Sequence, residues 1–328
     1  MLRIASRSSR LAQAQTALFA KALWHHHPQL KATSHITTIT SPTPPPTSRA
    51  TLSRKDIFTR ALDRALLARR IDCAVHSLKD LPAQLADGLV IACFLPRTEA
   101  RDALVMATRA RDKIKIKNLK ELPPDTTLAT SSLRRCAFIR MTAPSIRLVP
   151  MRGDIDTRLD KLHSTPTIDG LILAAAGLQR IGQEHAITLL LPPEVMLPAP
   201  GQGTLAVVCR QDDTRCLDTL MPLNDPNSRL CALAERATVR ALGADCHAPV
   251  AAYATIDATT LTLQATLADP DGKRSWTMTG AADKEQAEEL GCHIGTNLRE
   301  QAGRDFCQKY LTPPTPPRPP APPRPVKS

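Results

Sequence analysis

The sequence predicts an α/β protein with two doubly wound domains and a smaller α+β domain at its C-terminal end. Strand, turn and helix alternate from residue 2 to residue 181, which is typical of parallel sheets covered by helices. A strand at 205–209 follows a long excursion, so we expect the chain to return there to its first sheet. Beyond residue 250, three β-rich runs around a Pro270-Asp271-Gly272 turn predict a small antiparallel sheet.

The first predicted strand, at 2–5, runs into a Ser-rich turn and then into a helix from about residue 11 to residue 23. Because the first N–H groups of a helix are unpaired, this arrangement can bind an anion. Asp56 is the expected N-cap of a helix over 57–70. The remaining strands of these two domains are predicted at 35–40, 71–76, 89–95, 127–130, 146–151 and 168–174, and the remaining helices at 133–141, 155–163 and 175–181.

In the third domain, Asp225 and Pro226 open a helix that runs to Leu242, and Gly243 ends it. Strands at 250–257, 260–268 and 273–279 and a helix over 284–299 follow. The predicted limits are residues 1–96 with 201–218 for the first domain, 97–200 for the second and 219–310 for the third. Residues 311–328 hold nine Pro and are read as a disordered, polyproline-like tail.

The composition favours small anionic ligands. The chain has 328 residues and a formal net charge of +12, with 42% hydrophobic residues and 3% aromatic residues. Such a charge attracts anions, but nucleic-acid binders usually add stacking aromatics, and the basic segment 109–120 has none. We therefore expect carboxylates or phosphates of a small molecule, and no nucleic acid, as the partner.

No apolar run approaches the roughly 20 residues of a membrane span, and residues 1–10 lack the apolar part of an export signal. We therefore expect a cytoplasmic, monomeric protein without a membrane partner. The nine Cys contain no C-x-x-C pair, which argues against a disulfide framework or a zinc site. The His25-His26-His27 run is interpreted as an exposed helix end, with metal binding as the alternative.

Polar and basic side chains gather at turns that follow predicted strands. In open α/β sheets, ligands bind beyond the carboxyl ends of the strands. Several Arg aimed at one crevice suit a ligand with several carboxylates, because a guanidinium binds each carboxylate as a fork. These residues are Arg7, Ser9, Lys79, Asp80, Ser132, Arg134, Arg135, Arg152 and Arg158.

Two residues of this pattern have alternative interpretations. Asp80 can stabilise a developing cation or move a proton, or it can cap a helix or pair with Lys79. Cys246 can be a small buried hydrophobe or a reactive residue. Its position past a helix C-terminus and beside Asp245 raises a thiol pKa, which argues against a free thiolate nucleophile but allows a permanently alkylated Cys.

Seven motifs, in order, resemble those of the hydroxymethylbilane synthase (porphobilinogen deaminase) family over about residues 1–300. Val-His-Ser-x-Lys-Asp and Thr-Ser-Ser-Leu-Arg-Arg are the most specific. The matching segments are Arg3-Ile-Ala-Ser-Arg-Ser-Ser9, Ala74-Val-His-Ser-Leu-Lys-Asp80, Thr130-Ser-Ser-Leu-Arg-Arg135, Arg152-Gly-Asp with Thr157-Arg-Leu159, Ala174-Ala-Ala-Gly-Leu-Gln-Arg180, Leu197-Pro-Ala-Pro-Gly-Gln-Gly203, and Ala234-Glu-Arg-Ala237 ahead of Cys246.

The resemblance implies two domains similar to periplasmic binding proteins, with the ligand crevice between them, and a third domain that carries a cofactor. That cofactor is dipyrromethane, held by a thioether to Cys246. The implied enzyme is a transferase of heme and other porphyrin biosynthesis. It joins four porphobilinogen molecules head to tail, releases four ammonia, and frees the linear tetrapyrrole hydroxymethylbilane by hydrolysis.

The resemblance also implies roles for single residues. Asp80 and Lys79 match catalytic positions. Cofactor- or chain-binding positions match Cys246, Lys79, Ser132, Arg134, Arg135 and Arg158. Incoming-substrate positions match Arg7, Ser9, Arg152, Arg180 and Lys55, and no metal is implied.

The chain departs from the family pattern in three places. Ser41-Pro-Thr-Pro-Pro-Pro46, with Arg54 and Lys55, stands where the family has a Gly-rich, Lys-containing loop, and we expect 41–55 to be a mobile cover over the crevice. Asp245 replaces a Gly before the Cys, and Asp154 replaces an Asn. A rival hypothesis is a non-catalytic anion-binding protein with the same two-lobed crevice; the missing export signal and the context of Cys246 favour the enzyme.

Overall fold

The structure is a computed structural model that describes residues 1–40, 54–111, 116–245 and 248–311, with the backbone alone at 54–58 and 111. The expected cover over 41–55 and the Pro-rich tail fall largely outside these residues. No helix in the described part of the chain is long and apolar enough to cross a membrane.

The first domain is built on a five-stranded sheet in the order β2-β1-β3-β10-β4. β1 pairs in parallel with β2 and β3, whereas β10 runs antiparallel to β3 and β4. The expected return of the chain to its first sheet is confirmed. The doubly wound sheet is parallel except for β10, which enters from the opposite direction. The strands are Leu2–Ser6 (β1), Ser34–Thr38 (β2), Cys73–Ser77 (β3), Leu89–Phe94 (β4) and Leu205–Arg210 (β10).

Helices cover both faces of this sheet. Phe19 and Leu23 of one helix pack with Cys73 and Val75, and Leu62 of another packs on the opposite face with Ala74. The helices are Arg10–His26 (α1), Arg54–Leu67 (α2) and Thr214–Leu220 (α7).

The second of these helices, α2, begins at Arg54, two residues before the expected cap. The prediction that Asp56 caps it is therefore wrong.

The second domain repeats the layout with a sheet in the order β7-β6-β8-β5-β9. β5 is antiparallel to both of its neighbours, and all five of its residues are buried. The sequence pattern does not predict β5, because charged residues flank this short apolar run. The strands are Asp102–Met106 (β5), Thr127–Ala129 (β6), Arg147–Val149 (β7), Gly170–Ala174 (β8) and Leu189–Leu191 (β9).

Side-chain caps fix where the second-domain helices begin. The hydroxyl of Ser132 accepts from the Arg135 N–H, and the carboxylate of Asp154 accepts from the Thr157 N–H at 3.1 Å. Both caps lie at the ends of parallel strands, so the helices start at the same edge of the sheet. The helices are Thr108–Arg111 (α3), Leu133–Thr142 (α4), Ile155–Ser164 (α5) and Ala175–Arg180 (α6).

The third domain places a three-stranded antiparallel sheet, β11-β12-β13, against two long helices. The predicted caps are confirmed: Asp225 accepts from the Ser228 N–H, Pro226 starts the helix, and Gly243 ends it in the left-handed region at φ 64°. The elements are Pro226–Leu242 (α8), Val250–Asp257 (β11), Thr260–Ala268 (β12), Ser275–Asp283 (β13) and Ala287–Tyr310 (α9).

Two crossings join the first and second domains, one after β4 and one before β10. They lie side by side: the Thr98 N–H donates to the Gly203 carbonyl at 3.2 Å, and the Leu95 N–H to the Leu205 carbonyl at 3.0 Å. We propose domain limits of 1–96 with 201–218, 97–200 and 219–310, which the membership of each strand in its sheet supports.

Candidate active site

The candidate site lies where residues that follow β1 and β3 in the first domain come within electrostatic range of residues that follow β6 and β7 in the second. In the first domain, Arg7 follows β1 directly, and Ser9 caps α1 by accepting the Ala12 N–H at 3.3 Å. The first turn of α1 has no acidic residue. This edge of the first domain therefore presents a cation and a helix N-terminus together, as the sequence predicts.

Lys79 and Asp80 lie in a single 3₁₀ turn, Leu78–Asp80, immediately after β3. The turn is anchored because the Leu78 side chain is buried and its N–H donates to the Thr204 carbonyl at 3.0 Å. Gly201, at φ 74°, lies so close that an added Cβ would stand 2.6 Å from the Leu78 side chain. The turn is thus fastened to the second crossing.

Arg134 and Arg135 are both buried against one carboxylate. Their exposed fractions are 4% and 7%, and that of Asp102 is 0%. Arg134 Nη2 donates to Asp102 Oδ2 at 2.7 Å, and Arg135 Nη2 donates to Oδ1 at 2.7 Å. Each guanidinium also donates to a carbonyl, that of Leu197 or that of Ile172. Their partners in the structure are therefore protein groups, and contact with a cofactor stays a prediction.

Gln202 connects this buried cluster to Lys79. Its amide nitrogen donates to Asp102 Oδ1 at 3.2 Å and to the Ala100 carbonyl at 2.7 Å, and its amide oxygen accepts from Lys79 Nζ at 3.1 Å. Burial alone would raise the pKa of Asp102, but the charges of Arg134, Arg135 and Lys79 hold it below its usual range. Asp102 remains an anion, and the cluster keeps a net positive charge.

The sequence reasoning misses Asp102 and Gln202. Gln202 lies inside one of the quoted motifs but is assigned no role there. A signal for Asp102 is its place at the start of an apolar run, where a buried carboxylate requires a cationic partner.

Arg158 brings the two domains into electrostatic contact. Burial and the charge of Arg135 lower the pKa of Arg158, while the carboxylates of Asp80 and Asp154 act to raise it. Arg158 Nε donates to the Gly153 carbonyl at 2.8 Å, which holds the guanidinium near the start of α5. Asp80, from the first domain, thus lies within range of a second-domain cation.

Arg152 and Arg180 lie in different surroundings. Arg152 is exposed on the turn before α5. Arg180 reaches the crossings, where its Nη2 donates to Thr98 Oγ1 at 3.1 Å and to the Gly203 carbonyl at 2.5 Å. Burial lowers the pKa of Arg180 to about 10, and its buried Nε has no partner among the described residues.

Two predicted residues cannot be placed. The Lys55 backbone belongs to α2, but its side chain lies outside the described part of the chain, and Cys246 lies outside it altogether. A hydrogen bond joins two residues that flank Cys246: the Ala248 N–H donates to Asp245 Oδ1 at 3.0 Å.

The charges of the site suit a polyanion. Within the described ranges, no group of three or more His, Cys, Asp or Glu can hold a metal. Across the crevice, Arg7 of the first domain acts on Asp154 of the second, and Arg158 of the second acts on Asp80 of the first. Lys79 and the net positive cluster of Asp102 add further positive charge. A small molecule with several carboxylates fits this charge pattern.

Comparisons with known proteins cover nearly the whole chain. Residues 2–218 match the family model "Porphobilinogen deaminase, dipyromethane cofactor binding domain", and residues 229–300 match "Porphobilinogen deaminase, C-terminal domain". A porphobilinogen deaminase of Sorangium cellulosum (strain So ce56) is 39% identical over 307 residues, or 91% of this chain and 98% of the relative. One of Chromobacterium violaceum is 38% identical over 314 residues, or 95% of this chain and 98% of the relative.

Among solved structures, substrate binding domain 2 of Lactococcus lactis GlnP aligns with a TM-score of 0.40 and 14% identity, over 74% of this chain and 90% of that one. The two family models together span all three domains described above. The chain belongs to the porphobilinogen deaminase family.

Proposed function

We propose that this protein is a hydroxymethylbilane synthase, which joins four porphobilinogen molecules head to tail, releases four ammonia and frees the linear tetrapyrrole by hydrolysis. Membership of the family supports the reaction. The observation that carries the assignment of the site is the position of Asp80, a first-domain carboxylate within electrostatic reach of Arg158 across the crevice. The rival hypothesis of a non-catalytic anion-binding protein is not favoured, because the family is one of enzymes.

The cations of the crevice bind and orient the substrate. Each porphobilinogen carries an acetate and a propionate, so the growing chain gains negative charge with every unit. We assign Arg7, Ser9, Arg152, Arg180 and Lys55 to the incoming substrate. The buried Nε of Arg180, which has no partner among the described residues, supports this assignment because buried donors are rarely left unpaired.

Asp80 acts on the charge that develops as ammonia leaves. Loss of ammonia places positive charge on the pyrrole ring, and a carboxylate that accepts the pyrrole N–H stabilises it. Lys79 is held by Gln202 at 3.1 Å, so the 3₁₀ turn that carries Asp80 is fixed before substrate arrives. This preorganisation supports catalytic roles for Asp80 and Lys79.

The dipyrromethane cofactor, when bound, supplies the pyrrole terminus from which the chain grows. We assign its covalent attachment to Cys246. We assign its carboxylates to Lys79, Ser132, Arg134, Arg135 and Arg158. The excess of cations over carboxylates at the crevice supports this fit. We further propose that the enzyme works as a cytoplasmic monomer on the free small molecule.

Mass spectrometry of the purified protein tests the proposal. We expect the intact mass to exceed the sequence mass by one dipyrromethane, and the excess to map to the peptide that contains Cys246. Cys246→Ser is expected to fold, carry no adduct and make no tetrapyrrole. Cys292→Ser, at an exposed position on α9, is the matched control and is expected to keep adduct and activity. An active wild-type protein of unmodified mass, or an adduct on another Cys, contradicts the proposal.

A further inference from the structure

Arg236 is a buried arginine of α8 that holds the chain just beyond the 3₁₀ turn Leu78–Asp80. Its exposed fraction is 8%. Its Nη2 donates to the Pro82 carbonyl and to the Ala83 carbonyl, at 2.9 Å each. These carbonyls belong to the first domain and lie two and three residues after Asp80. One third-domain side chain thus binds the segment that leaves the turn.

The contact is strong and directional. Burial lowers the pKa of Arg236 to about 10, so the guanidinium stays charged at neutral pH, and hydrogen bonds from a charged donor are the stronger kind. The N–H bonds of a planar guanidinium point in set directions. A nitrogen that binds two successive carbonyls therefore fixes the direction of this backbone as well as its distance from α8.

The chain between Asp80 and these carbonyls has little freedom. The Leu81 side chain is buried, and the Leu81 N–H donates to the Leu78 carbonyl at 3.0 Å, which closes the turn. Leu81 has an extended backbone at φ −77° and ψ 141°, as a residue before proline does, and the ring of Pro82 fixes the next φ. A shift of the backbone that Arg236 binds is therefore transmitted to Asp80.

The same helix also supports the beginning of the turn. Glu235, the residue before Arg236, accepts the Gly201 N–H at 2.6 Å, and Gly201 is the residue that lies against the Leu78 side chain. Two neighbouring residues of α8 thus act on the two ends of the turn that carries Asp80.

We propose that Arg236 is a positioning residue for Asp80, and that it sets the place of the turn relative to α8. The helix ends at Gly243, three residues before Cys246, so attachment at Cys246 and catalysis at Asp80 share one support. This inference rests on the proposed function, which supplies the roles of these two residues. Arg236 itself binds backbone carbonyls, and its effect on the reaction passes through the turn.

Steady-state kinetics of the cofactor-loaded enzyme test the inference. We expect Arg236→Met, which keeps a long side chain but no donor, to load cofactor and to lower kcat about tenfold to a hundredfold, because a small displacement of a catalytic group costs rate. KM is expected to change little, since the cations assigned to the incoming substrate lie on other elements. Arg236→Lys, whose ammonium can donate to the same carbonyls, is expected to recover part of kcat.

The matched control is Arg240→Met, one turn further along α8. Arg240 makes an exposed ion pair with Glu288, and its loss is expected to leave kcat at the wild-type value. A tenfold lower kcat in this control contradicts the specific role of Arg236.

Hydrogen exchange separates a displaced turn from a general loss of stability. In Arg236→Met we expect faster exchange in the peptide that spans residues 78–84, which contains the bonded Leu81 N–H, and wild-type exchange in β5 and β8 of the second domain. Faster exchange throughout the chain indicates a merely structural role and contradicts the inference. Should Arg236→Met fail to fold, Arg236→Lys decides: a wild-type kcat despite faster exchange at 78–84 contradicts the inference, and a lowered kcat with unchanged KM supports it.

The outcomes also separate this inference from the proposed function. A wild-type protein that makes no tetrapyrrole overturns both. An active wild-type enzyme beside a cofactor-loaded Arg236→Met of unchanged kcat overturns only the role of Arg236. An Arg236→Met that folds but carries no cofactor also overturns only that role, because it assigns Arg236 to cofactor retention.

Discussion

The Arg97 guanidinium donates through Nη2 to both carboxylate oxygens of Glu235, at 2.7 and 2.8 Å. Arg97 lies on the first crossing between the two α/β domains, and Glu235 lies on α8 of the third domain. Burial alone would lower the pKa of Arg97, but the carboxylate of Glu235 raises it. Arg97 therefore keeps its charge inside the protein.

Glu235 also binds the second crossing by a hydrogen bond. Its Oε2 accepts the Gly201 N–H at 2.6 Å and its Oε1 accepts the Ala254 N–H of β11 at 2.8 Å, while Arg97 Nε donates to Thr204 Oγ1 at 3.2 Å. One fully buried carboxylate thus holds both crossings and the third-domain sheet. Since α8 ends just before Cys246, the helix that leads to the proposed attachment site is fixed directly to the crossings.

Glu235→Gln is expected to destabilise the protein strongly. Removing one partner of a buried ion pair leaves the other charge uncompensated and typically lowers the free energy of unfolding by about 3–5 kcal/mol. Urea unfolding measures the change. The matched control is Glu288→Gln, which removes the exposed pair with Arg240 and is expected to change stability by less than about 1 kcal/mol. Equal effects of the two variants contradict the role given to Glu235.

We expect Arg134→Leu to lower both stability and cofactor retention, and Arg158→Leu to lower mainly cofactor retention. Arg134 is fully enclosed with Asp102, so its loss is expected to lower the free energy of unfolding by about 3–5 kcal/mol and to block cofactor retention as well. Among the described residues, the Arg158 side chain makes one hydrogen bond, to a backbone carbonyl. Its loss is therefore expected to abolish cofactor retention with a stability change of about 1 kcal/mol.

Urea unfolding and intact mass, measured on the same preparations, check this pair of variants. A fully loaded Arg158→Leu contradicts the cofactor role of Arg158. An Arg134→Leu of wild-type stability contradicts the structural role of the Asp102 cluster.

The parts of the fold that local chemistry determines are predictable from the sequence. Asp225, Pro226 and Gly243 predict both ends of α8, because a cap, a first-turn proline and a left-handed glycine act within a few residues of one another. Ser132 and Asp154 cap α4 and α5 at the strand ends where the sequence places the ligand site. Such interactions need no knowledge of the tertiary structure.

The parts that depend on distant residues are not predictable in this way. Asp102 meets Arg134 and Arg135 from 32 and 33 positions away, and Arg97 meets Glu235 from 138 positions away. A single Arg in the sequence gives no sign of whether it faces a ligand or a buried carboxylate. Nor does the pattern show that β5 and β10 run antiparallel, since strand direction depends on where the chain crosses between domains.

Asp80→Asn is expected to give folded, cofactor-loaded protein with a collapsed rate. The amide keeps the shape of the carboxylate but removes the charge that stabilises a cationic pyrrole, which typically lowers kcat by two or more orders of magnitude, about 3 kcal/mol in the barrier. Steady-state turnover, with cofactor content determined by mass, is the measurement. Asp80→Glu is expected to retain part of the activity, and turnover of Asp80→Asn near that of the wild type removes Asp80 from the mechanism.

The stability of the protein is expected to depend on pH through His76. Burial lowers its pKa in the folded protein to about 4, below the ordinary value of 6.5. At a pH between these two values, His76 binds a proton in the unfolded chain but not in the folded protein. The contribution of neutral His76 to the free energy of unfolding is fully present above pH 6.5. It is lost as the pH falls toward 4, and the loss reaches about 3 kcal/mol. Between pH 7 and pH 5, urea unfolding is expected to show a larger loss of stability for the wild type than for His76→Gln.

Asp63 has the opposite effect on this pH dependence, because burial raises its pKa to about 6. Its effect is the same in both proteins and cancels in their difference. Identical losses in the two proteins contradict the burial of a neutral His76.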